Sequence, residues 1–452
     1  MNIIVAGLGK IGVTLISNLV TEGHDVVVID NDPQVVEDIT NIYDVMGVCG
    51  NCADTDVLAE AGAKNAELLI AVAGSDELNM LSCFLAKKIG TKNTIARVRA
   101  PEYNDRSLGI MKQHLELSMI INPEALAARE LFHNLKLPSA AKVETFSVRN
   151  FEMIEQVLKA NSPLEGVSLS ELRSRFKAKF LICAVKRGSE AYIPDGNFVL
   201  KSGDRIGLTA EPTEIVKLLK EMGVVQTKAK NVMILGGSRT AFYLAKRLAI
   251  SGSKVTIIEK DRQLCEELSE LIPKATIICG DGANQELLIE EGLHSVDAFV
   301  SLTGMDEENI LLCSYASSEG VPKVIAKVNR DSLRPLAEHW GLDTIISPKL
   351  FITNVILQYV RALQNSEGSS VETLYKLMDD KVEALEFNVK SDLGFLNKTF
   401  KELTFKKNTL VAGIIRDRKI IIPSGDDCLK AGDKVIVLAA NQRLNKLSDI
   451  LA

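Results

Sequence analysis

Gly7, Gly9 and Gly12 stand as G-x-G-x-x-G, and Asp30 follows them at close to the ~20-residue distance of a ribose-binding carboxylate. The chemistry this spacing serves is nucleotide binding. Gly7 permits a tight turn, Gly9 lets a pyrophosphate approach the backbone, and Gly12 lets helix and strand pack closely. Phosphates held there face free N–H groups and the positive end of a helix dipole, with Leu8, Lys10 and Ile11 completing the loop. The Asp30 carboxylate accepts from ribose hydroxyls and repels a 2′-phosphate, which favours NAD/NADH or ADP/ATP over NADP.

The flanking elements fit this role. Ile3, Ile4 and Val5 read as a buried parallel strand, and Val13, Ile16, Leu19 and Val20 have helical spacing. Asp25 to Ile29 form a second strand that ends at Asp30. Pro33 opens a helix, Asp44 to Val48 form a strand before Gly50 and Asn51, and Gly62 closes a short helix. A strand over residues 68–74 carries Ala73 and Gly74, a helix follows, and the strand TIARVRA carries Arg97 and Arg99. This alternation predicts a doubly wound parallel sheet. From about residue 142 the texture changes to short alternating strands, VETFSV and FLICAV, with a helix over 213–223 closing a small α+β unit.

At residue 231 the pattern restarts: NVMILGGSRTAFYLA repeats NIIVAGLGKIGVTLI. Gly236 stands for Gly7, Glu259 for Asp30, Gly280-Asp281 for Gly50-Asn51, Asn309 for Asn79 and Lys327 for Arg97. The small unit recurs too, pairing Pro423 with Pro194 and Gly432-Asp433 with Gly203-Asp204. The expected architecture is α/β, with Rossmann-like domains at 1–138 and 229–363 and small α+β domains at 139–226 and 370–452; linkers are expected at 227–230 and 365–370. The second loop departs from the first. Ser238 and Ala241 replace Gly9 and Gly12, so this site is expected to be weaker or to bind differently. Lys10 and Arg239 both sit at a helix start, where the dipole disfavours a cation; a bound phosphate accounts for them.

The chain has 452 residues, enough for several domains, with 46% hydrophobic and 25% charged residues. A net charge of −6 argues against a general nucleic-acid binder. No run approaches the ~20 apolar residues of a membrane helix, and the N-terminus enters a strand directly, so a cytoplasmic protein that reaches a membrane only through a partner is expected. Of eight cysteines, Cys49 and Cys52 form C-x-x-C. Cys49 recurs as Cys279 at a strand end and Cys83 as Cys313 on a helix face, and all four read as small core residues. No His cluster completes a metal site, so no metal is expected.

With these motifs in order, the chain resembles the TrkA family of potassium-uptake regulators, built of two tandem potassium-conductance-regulating (RCK) domains. The stretches that carry the resemblance are AGLGKIG with VVVID, the Gly-Asn/Asp strand end, AVAGSDELNM, IARVRAPEY, INPE, and the paired small domains with their I-P-x-G and x-G-D turns. The resemblance implies a non-enzymatic protein that forms a ring, as a tetramer, beneath a TrkH- or TrkG-type channel and changes its conductance on binding NAD(H) or ADP/ATP. By matching position it places nucleotide contacts on Gly7 to Ile11, Asp30, Ala73, Gly74 and Arg97, and on Gly236, Gly237, Ser238, Arg239, Thr240 and Glu259. Gly12, Asn51, Asp281, Thr303 and Lys327 complete the candidate set.

Two other functions have to be weighed. A dehydrogenase shares the cofactor fold but needs a positioned acid or base at a hydride-accepting site, and the small units offer no evident pair. A nucleotide-sensing repressor needs a helix-turn-helix and a basic face, and neither is visible. Finally, the helices over 122–135 and 347–363 carry apolar residues beyond a completed sheet, and a partly intermolecular packing role is expected for them.

Overall fold

The first strand–helix alternation runs β1 (Asn2–Ala6), α1 (Lys10–Thr21), β2 (Asp25–Asp30), α2 (Pro33–Ile42), β3 (Met46–Cys49), α3 (Thr55–Glu60), β4 (Leu68–Ala71), α4 (Asp76–Ile89), β5 (Asn93–Arg97), α5 (Asp105–His114), β6 (Met119–Ile121) and α6 (Pro123–Lys136). Its strands pair in parallel in the order β3-β2-β1-β4-β5-β6, the Rossmann arrangement, whose ligand crevice opens where the order reverses, between β1 and β4. This is a computed structural model that describes residues 1–103, 105–136, 141–145, 152–158, 162–211, 229–342, 344–366, 371–378, 381–417, 419–442 and 446–452, with a few single positions between.

Local chemistry sets the helix ends. Asp32 caps α2 by accepting from the Gln34 amide at 3.0 Å, with Pro33 in the first turn. Ser75 caps α4 through the Leu78 amide, and Gly90, at φ +141°, ends it. α5 carries Gly109 within it and has weak apolar spacing, so the sequence pattern does not announce it.

A small antiparallel sheet follows: β7 (Ala141–Thr145), β8 (Glu152–Val157), α7 (Leu169–Arg175), β9 (Phe180–Arg187), β10 (Glu190–Tyr192) and β11 (Arg205–Ala210), in the order β10-β9-β11-β8-β7. The helix expected over 213–223 lies for the most part outside the described residues.

The second Rossmann unit repeats the first: β12 (Asn231–Leu235), α8 (Arg239–Ile250), β13 (Lys254–Glu259), α9 (Arg262–Leu271), β14 (Thr276–Cys279), α10 (Gln285–Glu290), β15 (Ala298–Ser301), α11 (Asp306–Ser318), β16 (Val324–Lys327), α12 (Arg334–His339), β17 (Ile345–Ile346) and α13 (Pro348–Ser366). The sheet order is β14-β13-β12-β15-β16-β17. A second antiparallel sheet closes the chain with β18 (Val371–Leu377), β19 (Val382–Asn388), β20 (Thr409–Arg416), β21 (Lys419–Ile421) and β22 (Lys434–Ala440). Asn365, expected in a linker, belongs to α13; 367–370 lie outside the described residues.

The two Rossmann units exchange their last helices. Ala128, Leu131 and Leu135 of α6 enter the core that Phe242, Ala245 and Leu248 of α8 form in the second unit. Reciprocally, Ile352, Ile356, Leu357 and Val360 of α13 pack with Leu15, Ile16 and Leu19 of α1 in the first. Asn122 Nδ2 donates to the Tyr243 hydroxyl at 3.1 Å across this boundary. A partly intermolecular role is the sequence expectation; these apolar stripes instead pack on the other repeat of the same chain, because duplication puts a matching surface within reach without a second molecule.

The two small sheets also pack face to face. Met153, Cys183 and Ala184 share a core with Leu377, Ala412 and Leu438, and the Met378 amide donates to buried Glu155 at 3.0 Å. Among the described residues no helix is long and apolar enough to cross a membrane.

Candidate nucleotide-binding site

The loop after β1 turns at Gly7, whose φ is +98° and whose amide donates to the Ile29 carbonyl at 2.9 Å. A side chain there would place Cβ 2.5 Å from the Ala73 amide nitrogen, and one at Gly12 would come 2.0 Å from the Gly7 carbonyl oxygen. Both positions therefore exclude a side chain for reasons internal to the fold. Gly9 is different: a Cβ there meets nothing within 4 Å. That open space lies over the first turn of α1, where free amides and the helix dipole favour an anion.

Asp30 engages the loop itself. Its Oδ2 accepts from the Leu8 amide at 2.7 Å and its Oδ1 from the Asp32 amide at 3.1 Å. Glu259 does the same in the second unit, accepting from Gly237 at 2.6 Å and Asp261 at 2.9 Å. The acid thus fixes the loop while keeping lone pairs for a ribose. Asn51 and Asp281 are exposed, each accepting from an amide two residues on (Ala53 and Ala283, both at 3.0 Å).

The far wall comes from β4 and β5. Buried Asn79 accepts from the Ala73 amide at 2.7 Å and donates to the carbonyls of Ala73 and Arg97 at 3.1 and 3.0 Å, tying both strand ends together. Gly74 adds no side chain there, with open space around its Cβ position. Asn309 repeats the arrangement, accepting from the Thr303 amide at 2.9 Å and donating to the Lys327 carbonyl at 2.9 Å. These asparagines position the site. The sequence showed them only as a repeated letter in GSDELNM and GMDEENI.

Arg97 Nη2 donates to the Ala73 carbonyl at 2.6 Å, while its Nε is buried with no hydrogen-bond partner among the described residues. Burial holds the Arg97 guanidinium below its ordinary pKa, and the charges of Arg99 and Arg239 push the same way. Lys327, whose Nζ donates to the Leu302 carbonyl at 3.1 Å, is likewise held down by burial, with Lys10 adding repulsion. Carboxylates oppose this, Glu124 and Asp76 at Arg97 and Asp306 and Glu124 at Lys327, and the influence of the other unit's Arg239 and Lys10 is smaller than theirs.

The second unit holds a cavity of about 370 Å³ lined by Gly236, Gly237, Ser238, Glu259, Asp281 and Thr303, among others. Ser238 caps α8 by accepting from the Ala241 amide at 3.4 Å, and Thr240 is buried in the first turn. The hydroxyl thus occupies the face that Gly9 leaves open, a physical reason for the two sites to differ. Of the cysteines expected in the core, Cys83 and Cys313 are buried, but Cys49 and Cys279 are exposed because their strands end at the crevice mouth. Among the described residues no group of three or more His, Cys, Asp or Glu could hold a metal ion.

The TrkA-N domain model matches residues 3–123 and 232–348, and the TrkA-C domain model matches 153–223 and 384–452. The chain belongs to the TrkA family. It is 32% identical, over the whole of both chains, to a Trk system potassium uptake protein TrkA homolog of Archaeoglobus fulgidus. It is 29% identical to the Trk system potassium uptake protein TrkA of Vibrio alginolyticus, covering 100% of this chain and 98% of that one. Among solved structures, the GsuK channel bound to NAD superposes with a TM-score of 0.63 over 97% of this chain and 77% of that one, at 17% identity. That likeness is one of fold: two Rossmann-type sheets, each followed by a small antiparallel sheet.

Proposed function

We propose that this chain is a non-enzymatic regulatory subunit of potassium uptake that binds NAD(H) or ADP/ATP at its two glycine loops and shifts the conductance of a TrkH- or TrkG-type membrane channel. The observation that carries the reading is the mutual placement of the sites. The exchanged helices pack against the loop-bearing α1 and α8, and Asn122 of the first unit donates to Tyr243 of α8. A phosphate seated at the start of α1 or α8 acts on a helix that the other unit holds, so occupancy bears on how the two units sit together. A ligand moves such an equilibrium only through unequal affinity for its two states.

The buried, unpartnered Nε of Arg97 and the open face at Gly9 support an anion at the first site. The names carried by the relatives support the potassium channel as partner, and the NAD-bound channel of similar fold supports the dinucleotide. A ring of four chains on the inner face of the membrane is the assembly this reading adopts. The test is potassium flux through the channel subunit in proteoliposomes, with this chain added under NAD, NADH, ADP or ATP. Flux should differ between nucleotides; identical flux under all four would reject the switch, and turnover of NADH with a substrate would favour a dehydrogenase.

A further inference from the structure

The second nucleotide cavity rests on a pair of cysteines that the first site lacks. Leu264 and Gly280 belong to the cavity wall, and each has a cysteine as its chain neighbour, Cys265 and Cys279. Cys279 ends β14 in register with Glu259 of β13, which sets the two backbones about 4.8 Å apart. Cys265, on the fourth residue of α9, lays its Sγ 3.2 Å from the Glu259 carbonyl oxygen. Both cysteines thus meet at the Glu259 strand end, Cys279 by strand register and Cys265 through its sulfur. Both thiols are free; Cys279 is exposed and Cys265 is buried.

In the first unit Cys49 holds the equivalent strand end, in register with Asp30. The position corresponding to Cys265, four residues past the cap of α2, is Val36. Cys49 Sγ lies 4.0 Å from the Asn31 carbonyl oxygen. The dithiol is therefore a property of the second site, the one that also departs at Ser238.

We propose that Cys265 and Cys279 are a peroxide-oxidisable dithiol that governs nucleotide affinity at the second site, an inference that rests on the nucleotide-binding reading above. An accessible thiol beside a resolving cysteine is the arrangement of redox-sensing sites. Cys279, as thiolate, attacks the O–O bond of a hydroperoxide. The S–O bond forms, the O–O bond breaks, and the distal oxygen leaves as water or alcohol with the proton the thiol gave up. Cys265 then attacks the sulfenic sulfur; the S–S bond forms, the S–O bond breaks, and hydroxide leaves as water with the Cys265 proton. Two thiols lose two electrons and the hydroperoxide gains them. Cys279, exposed, is the thiol that meets the peroxide, and Cys265, buried, takes the resolving role.

The bond takes the Cys265 sulfur from the Glu259 carbonyl and ties the first turn of α9 to the end of β14. Both segments carry cavity wall, so the ribose-facing side of the site is reshaped.

The full chain is treated with hydrogen peroxide, mapped by peptide mass, and titrated with NAD and with ADP before oxidation, after it, and after reduction by dithiothreitol. The expected result is a Cys265–Cys279 linked peptide and second-class affinity lowered about fivefold, the low end of ordinary site coupling, restored on reduction. Cys265→Ser should leave Cys279 as a sulfenic acid captured by dimedone. Peroxide treatment that gives no such link, that joins Cys49 to Cys52 instead, or that gives the link with unchanged affinity overturns the proposal. A linked peptide in a chain that binds no nucleotide when reduced would overturn the nucleotide reading and leave the dithiol chemistry standing.

Discussion

Arg361, near the end of α13, donates through Nε to the Glu22 carboxylate at the end of α1, 3.1 Å away. The pair lies 339 residues apart in sequence and joins the last helix of the second Rossmann unit to the first helix of the first. Both side chains are largely shielded, at 13% and 20% exposure, so the contact is stronger than a solvated surface pair.

That junction makes the two Rossmann units one cooperative body. Ile356→Ala empties a fully buried site in the first unit's core although the residue belongs to the second. It should destabilise the protein by about 2–5 kcal/mol. Urea denaturation followed by probes placed separately in each unit should give coincident transitions for wild type; separated transitions would show that the exchange does not couple the units.

Asp30→Asn keeps one acceptor oxygen and removes the charge that binds the Leu8 and Asp32 amides. Nucleotide affinity at the first site should fall by about 1.5–3 kcal/mol, the ordinary worth of hydrogen bonds to a charged group. Calorimetric titration with NAD and ATP checks this. Asp30→Ala should also loosen the loop of the free protein, read as faster amide exchange at Leu8, because that amide loses its acceptor.

Lys10→Ala and Arg239→Ala should each narrow the difference between ATP and ADP affinity more than they lower ADP affinity. Each removes a cation placed at a helix start, where a longer phosphate chain adds charge. Because each cation is also felt in the other unit, either substitution should alter both binding classes. A change confined to the mutated loop's own class would reject cross-unit sensing.

Lys323 supplies a pH dependence. Its Nζ donates to the carbonyl of Asn134 in α6 of the other unit, and burial pushes its pKa down to about 8 from an ordinary value near 10.5. The folded chain therefore releases this proton at lower pH than the unfolded chain. Between about pH 8 and 10.5 the unfolded state binds more protons, so this group's contribution to stability rises with pH across that window and is flat below it. The difference in unfolding free energy between wild type and Lys323→Met, measured by urea titration from pH 7 to 10, should shift in favour of wild type above pH 8. A difference that stays constant would contradict the placement of this amine.

The parts of this molecule that depend on neighbours in sequence were legible before the structure. Gly7, Gly9, Gly12 and Asp30 announce their roles because a turn and a helix start need particular residue types at fixed spacing. The duplication showed because Gly236 and Glu259 stand at the positions of Gly7 and Asp30. What sequence left open was which surface meets which. The spacing of Leu131 and Leu135, or of Ile356 and Val360, demands burial but cannot name the partner, and the partner is the other repeat. Nor could spacing show that Asp30 holds the loop amides, or that Cys49 and Cys279, ending apolar strands, would emerge at a crevice mouth. Asn79 reaches the Arg97 carbonyl across 18 residues, a distance at which periodicity carries no signal.

The exchange of α6 and α13 also fixes what dilution can do. Were the two halves separate molecules, the trade of helices would obey mass action and come apart at low concentration. On one chain each half faces the other at an effective concentration set by the connecting segment, whatever the amount of protein present. Gain or loss of subunits can then alter only the contacts between whole chains. The two Rossmann units therefore stay joined through α6 and α13 even in a solitary copy.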